Sequence, residues 1–228
     1  EAWGADQAES WTVEDGAMVL MPRSSAWYQD YRGILAFKEL SGDFVVETSI
    51  QVTNRDGDAA PGSQFSLAGL MLRAPRDVTP ATWAGGGENH VFASIGAAWN
   101  AGQYAIEVKT TQNSNSQLET DPGAGQARIL VARIGEDVIV MVAWPGQDFV
   151  VHQRYERPDL PETLQVGATA YTDWPTVDDF TPFAHNQTAI DGGNPDLTAR
   201  YDYIRFRSAP AIEPDDLNDA DLAAQLAP

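Results

Sequence analysis

The period of the apolar residues is the feature that most constrains what this chain can fold into. They recur in short runs with the two-residue alternation of strands, and clusters of Gly, Pro, Asn and Asp separate the runs. Stretches with the period of an amphipathic helix are almost absent. Eleven segments carry the strand pattern: 16–21, 33–40, 43–53, 64–73, 89–98, 103–111, 127–134, 138–144, 149–155, 164–172 and 200–207. Within the third, Phe44, Val46, Ile50 and Val52 fall on one face while Glu47, Ser49 and Gln51 fall on the other, as in a half-buried strand. The run 138–144 is apolar on both faces and predicts a strand covered on both sides, joined to 127–134 by a hairpin at Gly135-Glu136-Asp137. Eleven strands are enough for two stacked sheets. The pattern therefore predicts an all-β fold, a two-sheet antiparallel β-sandwich.

A chain of 228 residues with 43% hydrophobic content can bury one sizeable core. One sandwich domain is expected over 1–208, followed at 209–228 by an acidic C-terminal tail whose stretch 215–226 reads as a short helix or a linker. Four long stretches lack strand alternation, at 54–63, 74–88, 112–126 and 173–199. Connections this long are binding loops or insertions.

Composition closes several routes. The 33 acidic residues outnumber the 14 basic ones, of which only Lys38 and Lys109 are lysine, giving a net charge of −19. That charge repels a nucleic-acid backbone and an anionic membrane surface, so neither nucleic-acid binding nor membrane insertion is expected. No apolar run approaches the length of a bilayer span. There is no cysteine, hence no disulfide framework, thiolate zinc site or cysteine nucleophile. His90, His152 and His185 have no zinc-ligand spacing, and no nucleophile elbow, phosphate loop or dinucleotide fingerprint is present.

Three constellations carry chemistry. In Trp83-Ala84-Gly85-Gly86-Gly87-Glu88-Asn89-His90 a glycine run leads Glu88, Asn89 and His90 to a strand entrance. An aromatic platform beside planar polar side chains suits a glycan, although a triglycine surface loop reads the same way. Glu107 and Lys109 alternate with Ile106 and Val108, so both point to one side of a strand as a ligand site, an acid/base pair or a salt bridge. If their strand neighbours that of His90, the groups share a face. The third is Tyr171-Thr172-Asp173-Trp174-Pro175, where a strand runs into the longest loop. Trp174 there is either a stacking platform or packing for its own loop, and Asp173 an acceptor or base.

The stretches Trp11-Thr12-Val13-Glu14-Asp15-Gly16-Ala17-Met18-Val19-Leu20, Leu40-Ser41-Gly42-Asp43-Phe44 and Ala68-Gly69-Leu70-Met71-Leu72-Arg73 resemble the concanavalin A-like lectin/glucanase (laminin-G-like) jelly rolls. The nearest resemblance is to bacterial domains with a GDF strand before a GLMLR strand, found alone or appended to β-xylosidase-type glycoside hydrolases. The closing Tyr201-Asp202-Tyr203-Ile204-Arg205-Phe206 resembles the last strand of laminarinase-like members. The resemblance implies a jelly roll whose concave sheet faces a glycan, secretion to an extracellular or periplasmic location, and a structural calcium ion near the chain ends. Asp202, on the opposite side of its strand from Tyr201 and Tyr203, is the calcium ligand it implies.

The catalytic members carry an E-x-D-x-x-E cluster, and no stretch here matches it. Retaining hydrolysis needs two carboxyls about 5 Å apart. A carbohydrate-binding module is therefore expected, with Trp83, Glu88, Asn89, His90, Glu107, Lys109, Asp173 and Trp174 contacting a polysaccharide. Two alternatives stay open. One is a glycoside hydrolase or polysaccharide lyase in which Glu88, His90, Glu107 or Tyr171 is catalytic. The other is an extracellular adhesion or assembly module, part of a larger polypeptide.

Overall fold

The computed structural model describes residues 1–79 and 82–228. Its strands are β1 (Ala2–Trp3), β2 (Ala8–Glu14), β3 (Ala17–Pro22), β4 (Ile34–Ser41), β5 (Phe44–Thr53), β6 (Ser66–Arg73), β7 (His90–Ala97), β8 (Ala105–Gln112), β9 (Asn115–Pro122), β10 (Gln126–Ile134), β11 (Asp137–Ala143), β12 (Val150–Glu156), β13 (Thr163–Tyr171) and β14 (Thr198–Ser208). They form two seven-stranded sheets. The front sheet has the order β1-β4-β13-β6-β7-β8-β9 and the back sheet β12-β11-β10-β5-β14-β3-β2. The fold is the predicted two-sheet antiparallel β-sandwich.

The alternation in sequence explains the layers. Ile34, Leu70, Val91, Ala93, Ile106 and Val166 of the front sheet meet Val46, Ile50, Ile129, Val131, Val140 and Ala199 of the back sheet in one buried cluster. Tyr201 crosses this core, and its hydroxyl donates to the Thr169 carbonyl at 2.6 Å, so the buried phenol is satisfied by the opposite sheet. The residues between these positions point outward, yet many are buried too, because both outer faces carry a cover.

On the back sheet the cover is α3 (Asp219–Leu226), whose Leu222 and Leu226 are buried with Val45, Leu130, Ile139 and Met141. This is why β11 is apolar on both faces. On the front sheet Trp27 is buried with Leu35, Leu67, Met71, Phe92 and Tyr171. The segment 23–33 carries that tryptophan across the sheet. A backbone bridge joins Ser25 to Thr172, Lys109 Nζ donates to the Trp27 carbonyl, and the Gln29 amide donates to Ser116 Oγ.

All eleven predicted segments form strands, and β1, β2 and β9 are additional. The stretch 112–126, expected to be irregular, contains β9. Its sequence Asn115-Ser116-Gln117-Leu118-Glu119-Thr120-Asp121-Pro122 has Leu118 as its one bulky apolar residue, because an edge strand buries little. The turn into it places Asn113 and Ser114 at φ 48° and 63°, the two positive values of a type I′ turn. At the predicted hairpin Ile134 pairs with Asp137, and Gly135 supplies φ 59°.

Strict alternation fails at Asp202. The pairing of β14 with β5 shifts register between Tyr201 and Tyr203, which makes Asp202 the extra residue of a β-bulge. Tyr201 therefore faces the core while the Tyr203 hydroxyl donates to Glu47 Oε1 on the outer face. The two tyrosines lie on opposite sides, contrary to the expectation that both oppose Asp202.

Candidate functional site

Strands β7 and β8 pair with Ser94 opposite Glu107, Phe92 opposite Lys109 and His90 opposite Thr111. These outward-facing residues lie beneath the cover formed by residues 23–33. Beside Trp27 the cover leaves a small cavity of about 130 Å³, lined by Ala26, Trp27, Tyr28, Phe65, Trp99, Lys109, Leu118, Tyr171 and Trp174. Aromatic rings make most of its wall. Trp99 stands at the rim, 56% exposed, with its ring edge-on to Phe65 at 4.7 Å. Trp174 belongs to α1 (Trp174–Val177) and packs against Tyr28 and Tyr31 at 5.5 and 5.4 Å.

Lys109 is the cationic group of this cavity, and its orientation is fixed. The ammonium is 2.9 Å from Glu107 Oε1, donates to the Trp27 carbonyl at 2.8 Å, and lies 4.7, 5.5 and 5.5 Å from the ring centres of Phe92, Tyr28 and Tyr171. An ammonium has three N–H donors, so one remains for a ligand. Burial pushes its pKa down, an effect partly offset by the Glu107 carboxylate. The Tyr171 hydroxyl donates to the same Glu107 oxygen at 2.8 Å. Its pKa is pushed well above the usual phenol value by burial and then by the charge on Glu107, so at neutral pH it is a donor and not a base. Glu107 orients both groups from behind, and its Oε2 has no partner among the described residues.

Other predicted residues lie elsewhere. Glu88 is fully buried in a cluster of arginines: its carboxylate is 2.9 Å from Arg73, 2.7 Å from Arg76 and 4.0 Å from Arg32. Arg73 is in turn stacked between Trp3 at 5.0 Å and Trp27 at 5.7 Å. Three guanidiniums crowd this buried carboxylate and leave it no open side for a sugar. Trp83 sits on the far side of this cluster, near Arg32 and Phe183, and does not line the cavity. Asn89 is consumed by the backbone, accepting from the Asn113 amide and donating to the Gly87 carbonyl.

His90 shares the face of Lys109, but Trp27 closes over it. Its ring is fully buried, edge-on to Trp27 at 5.5 Å and stacked on Phe92 at 5.8 Å, and neither nitrogen has a partner among the described residues. Asp173 is likewise occupied. It adopts φ 66° and accepts from Ser24 Oγ at 2.6 Å, Ser63 Oγ at 3.0 Å and the Asn194 amide at 2.6 Å. A Cβ at Gly193 would fall 2.5 Å from its Oδ2, so only glycine lets the loop approach this carboxylate.

Of the predicted contacts, Glu107, Lys109 and Trp174 converge, together with Tyr171. Trp27, Tyr28, Phe65, Trp99 and Leu118 escaped the sequence reading. A tryptophan in a turn after a strand, as Trp99 is, was the available signal.

Asp202 does not fit a calcium centre. Its carboxylate accepts from Ser49 Oγ at 2.8 Å and faces the Arg200 guanidinium at 3.6 Å. Hard cations need several oxygen ligands, and among the described residues no group of three or more His, Cys, Asp or Glu side chains converges.

No protein-family model and no curated protein sequence matches the chain. Among solved structures it is similar to a functionally unknown protein from Saccharomyces cerevisiae, with 14% identity over 90% of this chain and 95% of that one and a TM-score of 0.64. It is also similar to basic winged bean lectin crystallised with Tn-antigen, with 14% identity over 90% of each chain and a TM-score of 0.54. A third likeness is to xylan β-1,4-xylosidase from Bacillus halodurans C-125, with 12% identity over 87% of this chain and a TM-score of 0.53. The chain spans only 34% of that enzyme. These likenesses show the fold alone, a two-sheet antiparallel jelly-roll sandwich.

Proposed function

We propose that this chain is a carbohydrate-binding module which takes a sugar ring into the cavity between Trp27, Trp99 and Trp174. The observation that carries the reading is the site's composition: an aromatic-walled cavity on the outer face of one sheet, with the Lys109 ammonium among its lining groups. Aromatic faces stack on the C–H faces of sugars, and a fixed donor selects a ring hydroxyl. The lectin likeness supports the same reading at the level of fold. The chain acts outside the cytoplasm, alone or as one module of a longer polypeptide related to the bacterial domains appended to xylosidases.

Binding is favoured over hydrolysis by the carboxylates. A pair flanking a scissile bond is required, and among the described residues no carboxylate lines this cavity, Glu107 lying behind Lys109 and Tyr171. Glu88 is held by arginines and Asp173 by hydroxyls and an amide. A lyase base is not available either, since Tyr171 is held protonated and His90 is sealed.

Isothermal titration with xylo-, manno-, β-gluco-, galacto- and uronate-containing oligosaccharides tests the proposal. At least one series is expected to give heat, and Trp99→Ala to weaken it by about tenfold, equivalent to ~1.4 kcal/mol. Trp99 is exposed enough that its removal leaves the fold intact. No heat from any series, or equal binding by the variant, would overturn the reading.

A further inference from the structure

Lys109 and Glu107 form an ion pair that the fold buries: their side chains are 2% and 0% exposed, with Nζ and Oε1 2.9 Å apart. Stability alone is a weak reason to keep such a pair, because desolvation offsets most of its attraction and apolar residues of similar volume often serve a core as well. The pair stands at the aromatic cavity, where Lys109 and Tyr171 are both lining residues. The Tyr171 hydroxyl donates to the same Glu107 oxygen at 2.8 Å, and Glu107 Oε2 has no partner among the described residues. An amine, a base within hydrogen-bond reach of it and a third group that orients the base together make the arrangement of an activated nucleophile. Burial, partly offset by the Glu107 charge, lowers the lysine pKa and so brings the neutral amine closer to ordinary pH.

We propose that Lys109 is a nucleophile that captures an aldehyde as an imine, the carbonyl being the open-chain end of a reducing sugar or a free short hydroxyaldehyde. The inference shares the cavity of the carbohydrate reading but does not depend on sugar affinity. The ammonium first passes a proton to Glu107, and the neutral amine attacks the carbonyl carbon as the carbonyl π pair moves onto oxygen. That oxygen takes a proton from Glu107, the new ammonium nitrogen returns one to it, and a carbinolamine results. Glu107 then protonates the carbinolamine hydroxyl, water leaves with the C–O bonding pair, and the nitrogen lone pair closes the C=N bond. The product is an iminium beside a carboxylate, the same charge pair from which the steps began, so the buried site gains no net charge. Water is the sole by-product, and no oxidant or reductant is consumed. Trp27, Tyr28, Phe65, Trp99 and Trp174 supply much of the cavity lining, and a wall with few polar groups holds little water to hydrolyse the imine.

The sequence makes the test simple, because Lys38 and Lys109 are the only lysines. Lys38 is exposed on β4 and serves as the internal control. The protein is incubated at neutral pH with glycolaldehyde, glyceraldehyde or xylose and sodium cyanoborohydride, which reduces an imine to a stable amine, and labelling is followed by peptide mass mapping. Lys109 is expected to be labelled about tenfold faster than Lys38 in the folded protein, and at the same rate as Lys38 in urea. Labelling by glycolaldehyde and glyceraldehyde alone assigns a free short aldehyde; labelling by xylose as well assigns a reducing sugar. Glu107→Gln would leave a buried ammonium unpaired and threaten the fold, so Tyr171→Phe is the variant of choice. It is expected to slow labelling of Lys109 several-fold, on the order of a lost proton-transfer partner, and to leave Lys38 unchanged. Lys109 labelled no faster than Lys38 by any of the three aldehydes, or a variant with the parent's ratio, would overturn the proposal. Failure here leaves the calorimetric test of sugar binding standing, and a label without calorimetric heat leaves the imine standing.

Discussion

His90 lies wholly buried between Trp27 and Phe92, and the cations of Lys109, Arg73 and Arg157 surround it. Burial first, and then those cations, push its pKa well below the ordinary 6.5. The folded chain thus keeps the ring neutral, while the unfolded chain protonates it as pH falls through about 6.5. The unfolded state then binds more protons, and stability declines toward acid pH. His185, also buried and lowered mainly by desolvation, acts in the same direction. For His90 the slope approaches ~1.4 kcal/mol per pH unit below that pH. Urea midpoints at about pH 7 and pH 5 are expected to fall for the parent protein and to fall less for His90→Gln; identical slopes would contradict the assignment. Alternation alone places His90, Lys109 and Glu107 on a common face, because consecutive strands β7 and β8 pair as chain order leads one to expect. What alternation cannot reveal is the cover. Trp27 and Tyr28 come from a stretch without strand period, and a single loop aromatic carries no periodic signal. Glu88 misleads for a related reason: its partners Arg73 and Arg76 look like ordinary surface charges until the fold buries them.

The element with the clearest energetic consequence is α3. Asn218 caps it by accepting from the Asp221 amide, and Leu222 and Leu226 are fully buried against the back sheet. In sequence this is an acidic, alanine-rich tail, and two leucines are too few to distinguish a docked helix from a solvated one. The strand that predicts it is β11, whose outward Ile139 and Met141 require a cover from somewhere. Truncating a buried leucine costs ~2–5 kcal/mol, and a chain of this size loses ~2–4 °C per kcal/mol. Leu222→Ala is therefore expected to lower the Tm by roughly 5–15 °C and to leave sugar binding unchanged, since the proposed site is on the other sheet. An unaltered Tm, followed by differential scanning fluorimetry, would show that the helix does not dock. Strand β9 shows the limit of pattern reading in the other direction. An edge strand with one bulky apolar residue has no alternation to detect, and only its turn residues Asn113 and Ser114 mark it.

At the scale of the whole molecule, a core between two seven-stranded sheets is flanked by a cover on each outer face, α3 behind and the segment 23–33 in front. The two covers have different consequences. The helix buries its side of the sheet, whereas the front segment leaves a cavity beside Trp27 and a buried ammonium with a donor to spare. The net charge of −19 sits on the surface of this assembly and disfavours polyanionic partners at long range, while the cavity itself pairs Lys109 with Glu107. A crystal soaked with mixed oligosaccharides would test the central claim most directly. The account predicts electron density for one sugar ring in the front-sheet cavity, stacked on Trp99 and hydrogen-bonded to Lys109 Nζ; density for sugar bound elsewhere, with that cavity holding only water, would contradict it.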